Sequence, residues 1–281
     1  AVTTANAVDS TFADDFAVVV ANPSETDSAE VVIQRGGSTV QTASIPPRQV
    51  SALQLDMIPE LQELGASQRL SGAAYEVSSS VPVAAYQFSP LHFEVDPSGS
   101  GEVARSFSND ASLLLPEHVL TGSYMASTWP TWAIGNFPGT SEWVPGFIAI
   151  AATEDGTLVE IQSSARTQDG VPAALEPGET TTVSLQRADV LQIFSESPEA
   201  SLSTNTCIER GGEEAPNGEN TSCIDRSLGD LTGTLVSADK PVAVFAGHVC
   251  TFVPFDSWAC DHLEEMMFPA ATWGSTVVMT A

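Results

Sequence analysis

Two stretches of this 281-residue chain carry one pattern at one offset. Val77-Ser78 with Pro82-Val83-Ala84 recurs as Val236-Ser237 with Pro241-Val242-Ala243, 159 residues later in both parts. Phe16–Ala21 (FAVVVA) lies over Phe147–Ala152 (FIAIAA), and Ala29–Gln34 (AEVVIQ) over Thr157–Gln162 (TLVEIQ). Such self-similarity means that one supersecondary unit is used twice. The first strand is offset by 131, not 159, so the second half holds an insertion. Ser201 to Gly229 has no counterpart in the first half and is its place. Leu113-Leu114-Leu115-Pro116, then Gly122, echoes Met266-Met267-Phe268-Pro269, then Gly274.

Each copy reads as β-structure. Its runs are short, β-branched and partly alternating, and Gly, Pro, Asn and Asp clusters bound them. Asp155-Gly156 supplies the positive φ of a tight hairpin turn. The expectation is an all-β chain of two tandem antiparallel β-sandwich, jelly-roll-like units. Residues 1–115 form the first unit and 116–268 the second, with disulfide-stapled insertions. Residues 269–281 form the first strand of a truncated third unit, or a closing strand. A β-propeller-like array is the alternative, but its blades run ~40–50 residues and this period is about three times longer. Within this frame, Leu231–Ala238 and Pro241–Gly247 read as two separate strands and Gly274–Thr280 as a last one. Met57–Leu64 reads as a short helix. Glu264–Met267 reads as a helical turn that Asp261 caps. Trp129 to Pro145 reads as an irregular aromatic loop.

The charge excludes some functions. Nine basic residues face 36 acidic ones, a net charge of −27, and Lys240 is the one lysine. Such a surface repels phosphate backbones and anionic membranes. No apolar run approaches the ~20 residues of a membrane span. The plain reading of the charge is solubility; the sharper one is affinity for cations or a basic partner. Among the acids, Glu209, Glu213, Glu214, Glu219 and Asp225 in the insertion, with Glu154 and Asp155 in the hairpin, leave Ca²⁺ open, although none has EF-hand spacing. Lys-poor, Ser/Thr/Val/Gly-rich composition suits a secreted or cell-surface protein, with Ala1 downstream of a removed signal or inside a longer chain.

Four cysteines, Cys207, Cys223, Cys250 and Cys260, allow three pairings. Local pairing closes two short loops and implies an oxidising compartment. The competing reading is zinc: His248, Cys250, Cys260 and His262 form H-x-C…C-x-H, with the ligand types of a Cys₂His₂ site but without finger spacing. His248, His262 and Asp261 could also serve a metal-dependent hydrolase, although no nucleophile, zincin, P-loop or dinucleotide motif accompanies them. His92 and His118 stand alone and read as packing or surface residues.

Asp230-Leu231-Thr232-Gly233-Thr234, Asp239 to Phe245 (DKPVAVF), Gly247-His248-x-Cys250, Cys260-Asp261-His262 and Trp273-Gly274 resemble the N-terminal region of the IgGFc-binding protein family. The specific motifs cover about Asp230 to Gly274; the likeness is weaker through Gly146 to Leu191. In mucus-associated vertebrate members this region precedes mucin-type modules, and similar regions occur in large extracellular bacterial proteins. A chain this acidic looks like a bacterial member. The resemblance implies a local Cys250–Cys260 disulfide and no catalytic residues; the first cysteine pair lies outside what can be carried over. The functional expectation is a non-catalytic extracellular binding or adhesion module without a cofactor. Its partners would be glycoproteins, glycans or proteins, and Trp129, Trp132 and Trp143 are its candidate ligand-facing residues. A structural stalk of a large surface protein is the alternative.

Overall fold

The computed structural model describes residues 1–6, 16–89, 94–95, 104–105, 110–135, 141–196, 206–209, 221–224, 229–256 and 260–276. The first copy holds β1 (Val2–Thr3), β2 (Phe16–Ala21), β3 (Ala29–Arg35), β4 (Ser38–Ile45), β5 (Val50–Leu55), β6 (Gln68–Leu70), β7 (Tyr75–Ser79), β8 (Ala84–Phe88), the short pair β9 (Glu94–Val95) and β10 (Ala104–Arg105), and β11 (Ala111–Leu113). Two four-stranded sheets result, ordered β1-β7-β3-β4 and β11-β8-β2-β5. The second copy holds β12 (Thr121–Met125), β13 (Trp132–Gly135), β14 (Ser141–Val144), β15 (Gly146–Ala152), β16 (Thr157–Gln162), β17 (Thr180–Leu185), β18 (Val190–Phe194), β19 (Thr206–Glu209), β20 (Thr221–Ile224), β21 (Leu235–Thr251) and β22 (Asp261–Met266). Every strand pairing is antiparallel. The fold is all-β and sandwich-like, and the described strands close no propeller.

The sequence repeat is a repeat of pairing. In the first copy β2 lies between β5 and β8, β3 lies between β4 and β7, β1 pairs with β7 and β11 pairs with β8. In the second, β15 lies between β18 and the later half of β21, and β16 between β17 and the earlier half of β21. β12 and β22 take the places of β1 and β11. Even register is kept: Leu113 faces Tyr86, and Met266 faces Phe245, 153 residues after Leu113 and 159 after Tyr86. Both copies end in a short 3₁₀ turn after proline, at Glu117–Val119 and Ala270–Thr272.

One difference joins the sheets of the second copy. Where β7 and β8 are separate strands, β21 runs unbroken for 17 residues through Pro241. The two strands expected there are therefore one. Proline is tolerated because Pro241 sits where β21 passes from β16 to β15, so no ladder bond needs its missing N–H. Thr153 Oγ1 donates to the Pro241 carbonyl at 2.6 Å.

Burial explains the unbroken apolar runs. All seven residues of β15 are buried. Ile148 and Ile150 pack with Val159, Ile161, Val236 and Val244, while Phe147, Ala149 and Ala151 join a core shared with Phe16, Val18, Ile33 and Tyr75 of the first copy. A strand covered on both faces has no reason to alternate. Other links cross between the copies. β6, from the first, pairs with the edge of β18. Gln192 Nε2 donates to Leu61 O at 2.8 Å, and Arg187 meets Glu76 at 2.6 Å. The Met266 N–H donates to Ser112 Oγ at 2.6 Å.

Four further sequence readings are corrected. Asp261–Met266 is strand, not a capped helical turn: its burial alternates, and it pairs with β21 from Phe245 to Thr251. The free edge of β21 offers N–H and C=O groups that a helix would leave unpaired. Met57–Leu64 contributes a single 3₁₀ turn at Pro59–Gln62. The aromatic stretch is not irregular. β13 and β14 form a hairpin, and strands of the insertion extend it into a sheet ordered β14-β13-β20-β19. Gly274–Thr276 is not strand, and residues 277–281 lie outside the described part of the chain.

Candidate functional site

A cleft of about 400 Å³ opens where the copies meet the added four-stranded sheet. Its wall is built from four separate loops: Leu64 and Gly65 after the first 3₁₀ turn, Thr131, Trp143 and Pro145 from the aromatic hairpin, Gln168 and Asp169 after β16, and Ser195 and Glu196 after β18. Backbone bonds hold these loops together. Ser67 donates through its N–H to Asp169 O and through its hydroxyl to Gln168 O, both at 2.9 Å, and Val171 N–H returns to Ser67 O at 2.7 Å. Gln168 N–H donates to Phe194 O at 2.9 Å.

The floor is polar and rigid. Ser195 Oγ, fully buried, accepts from Gly146 N–H at 2.9 Å and lies 2.5 Å from Thr131 Oγ1. Position 146 must be glycine, because a Cβ there would overlap the Trp129 carbonyl oxygen. Gln168 Oε1 is buried and has no hydrogen-bond partner among the described residues. At the rim Glu196 accepts from Arg166 Nε at 2.9 Å, which orients the carboxylate. Asp169 accepts from Ala174 N–H at 3.2 Å. The cleft thus offers one indole and two carboxylates above a floor whose amide oxygen and hydroxyl pair are buried. That set suits a neutral, hydroxyl-rich ligand with an apolar face.

The three tryptophans do not act together. Trp143 lines the cleft, whereas half-buried Trp129 lines a different one, with Asp110, Gly247 and Glu264. Trp132 is turned inward at 4% exposure, where it packs edge-on against Phe252 and Phe255 and donates from Nε1 to Cys250 O at 2.7 Å. Buried and hydrogen-bonded, it is a core residue of the added sheet and cannot face a ligand. The other lining residues, Thr131, Gln168, Asp169, Ser195 and Glu196, carry no motif, and only the loop packing brings them together.

Cys207 is bonded to Cys223 and Cys250 to Cys260. The first bond staples the paired positions of β19 and β20, and the second spans the turn between β21 and β22. The thiolates of the zinc reading are thereby spent on each other. His248 is fully buried. Burial, then the neighbouring His262, pushes it down to about 3, partly opposed by backbone hydrogen bonds, so it is a neutral core histidine. Its Nδ1 accepts from Cys250 N–H at 3.2 Å. His262 stacks on Phe147 and donates from Nδ1 to Val249 O at 3.2 Å, with Nε2 3.3 Å from Glu264 Oε2. Asp261 belongs to β22 opposite Thr251. No group of three or more metal-ligating side chains is present among the described residues. Of the calcium candidates, Asp155 accepts from Arg187 N–H at 3.0 Å within its hairpin turn. Glu213, Glu214, Glu219 and Asp225, like His92, lie outside the described residues. His118 is exposed on its 3₁₀ turn.

Against models of known families, residues 110–281 match that of the IgGFc binding protein. The match spans more than half of the chain and contains the second copy with its added sheet and both disulfides. The chain belongs to the IgGFc binding protein family. No curated protein matches it. No solved structure matches it either. Family membership makes this chain an extracellular type of binding module. No helix among the described residues is long and apolar enough to cross a membrane.

Proposed function

We propose that this chain is a non-catalytic adhesion module that binds glycan chains of a glycoprotein in the cleft beneath Trp143. The observation that carries the reading is the pairing of that indole with the Asp169 and Glu196 carboxylates in one cleft. A sugar ring has an apolar face for an indole and hydroxyls for amide and carboxylate acceptors. The family name points to immunoglobulin Fc, itself a glycoprotein, as one candidate partner. Secretion or surface display fits two disulfides, which persist in oxidising compartments. We read the unit boundaries as residues 1–115 and 116–268. A bacterial source is our reading of the charge alone. Neither a cofactor nor calcium is needed for this binding.

The test is a glycan array probed with the intact chain and with Trp143→Ala and Glu196→Gln. Binding to a defined glycan class, lost in both variants while circular dichroism is unchanged, supports the reading. Silence across the array, or binding that survives both changes, refutes it. A stalk role is favoured by one observation, the core shared between the copies, which resists bending. It predicts no ligand at all.

A further inference from the structure

The rim of the cleft under Trp143 carries more negative charge than its ion pairs remove. Among the described residues, the base paired there is Arg166. Its Nε donates to Glu196 at 2.9 Å, and its Nη1 stands 3.4 Å from Glu176. One guanidinium is therefore shared by two carboxylates. Asp169 adds a further charge, and its partner is a backbone N–H, that of Ala174 at 3.2 Å. None of the residues lining the cleft is basic. Arg48, Arg69, Arg187 and Lys240 are engaged elsewhere, with Glu25, Ser184 O, Glu76 and Asp155 O.

The backbone fixes this arrangement. Glu196 N–H donates to Arg166 O at 2.9 Å, so residues 166 and 196 are bonded through main chain and side chain alike. Thr167 bridges to Ser195 and Gln168 N–H to Phe194 O, which holds Asp169 on the same wall. A carboxylate accepts hydrogen bonds and donates none. A sugar hydroxyl can donate to it. The carboxylate of a sialic acid or the oxygens of a sulfate ester accept only, and they meet like charge instead. That repulsion acts over several ångströms and weakens as salt screens it.

We infer that the cleft selects by charge at the end of the glycan: it takes chains that end in a neutral sugar and rejects the same chains capped with sialic acid or sulfate. This rests on the glycan reading of the same cleft. Glu196 and Asp169 exert the rejection directly. Glu176 does not line the cleft and acts through Arg166, because it draws off part of the charge that would otherwise neutralise Glu196. The partner is thereby narrowed to a glycoprotein whose chains end in neutral sugars.

The test measures surface plasmon resonance of the 281-residue chain on matched pairs of immobilised glycans, each neutral-ended and capped with sialic acid or sulfate on its terminal sugar. At about 0.05 M salt the neutral member should bind about fivefold more tightly or better, and at about 1 M, where the screening length is about 3 Å, the preference should nearly vanish. Asp169→Asn and Glu176→Gln should each narrow the low-salt preference by about twofold. Circular dichroism verifies the fold of both variants, and the salt series on wild type needs neither. If the capped member binds as tightly as the neutral one at low salt, selection by charge is refuted while glycan binding stands. A preference that persists at about 1 M salt and in both variants refutes it too, since the discrimination is then one of shape. If no glycan binds at either salt, the glycan reading fails and this inference falls with it.

Discussion

Asp110→Asn makes a pH-dependent prediction with a definite sign. Asp110 stands at the seam between the copies, where its carboxylate accepts from Glu264 N–H and, at 3.1 Å, from Ala111 N–H. Burial, with Glu264 and Glu265 adding repulsion, pushes its carboxyl up to about 7, against an opposing pull from His262. A folded pKa above the unfolded one gives stability that is fully present below about 3.8 and is lost as pH rises toward about 7. At 1.36 kcal/mol per unit the ceiling is about 4 kcal/mol, and part exposure reduces it to about 2. Asparagine cannot ionise. It loses one acceptor, at about 1 kcal/mol independent of pH. The stability of the variant relative to wild type should therefore rise by about 2–4 kcal/mol between pH 4 and pH 8. His248 works in the opposite direction in both proteins. Its lowered pKa contributes stability present above about 6.5 and lost as pH falls toward about 3. The two trends oppose each other in wild type between about pH 4 and 6.5, and the variant exposes the histidine slope of about 1.4 kcal/mol per unit. Urea unfolding followed by tryptophan fluorescence at five pH values measures both curves. A difference between the proteins that stays constant with pH would refute the placement of Asp110.

Trp132→Ala should cost about 3–5 kcal/mol, because it empties the core of the added sheet, whereas Trp143→Ala should change stability by less than about 1 kcal/mol and affect binding instead; thermal denaturation separates them. Replacing Cys250 and Cys260 together by serine should cost about 3 kcal/mol, since the bond closes a loop of 10 residues. Mass spectrometry after alkylation without reduction should find no modified cysteine in wild type. Gly146→Ala should destabilise the chain by several kcal/mol through overpacking against Trp129 O, measured by the urea midpoint.

Much of the fold is legible along the chain because repetition is a local signal. FAVVVA and FIAIAA look alike wherever they end up, and their shared offset to later strands places the pairing partners. Asp155-Gly156 reads as a turn because only a residue free at positive φ satisfies it, and Gly156 has φ of 66°. Glu264–Met267 was misleading for the complementary reason. Its local composition favours helix, but the open edge of β21 decides otherwise, and Glu264 is buried beside His262 where a helix would have exposed it. Trp132 and Trp143 are indistinguishable in sequence. Alternation along the hairpin sends one under Phe252 and Phe255 and leaves the other on the cleft.

By itself, then, the sequence determined the β-class, the duplication, the acidic surface and the family, since each is written in residue type and spacing. Tertiary structure alone decided which histidines are neutral core residues and that Gln168, Ser195, Thr131 and Trp143 share a wall. Those facts depend on contacts between segments tens to more than a hundred residues apart. Such contacts are set by burial against the whole core and by ladder register, and neither leaves a mark on the local sequence.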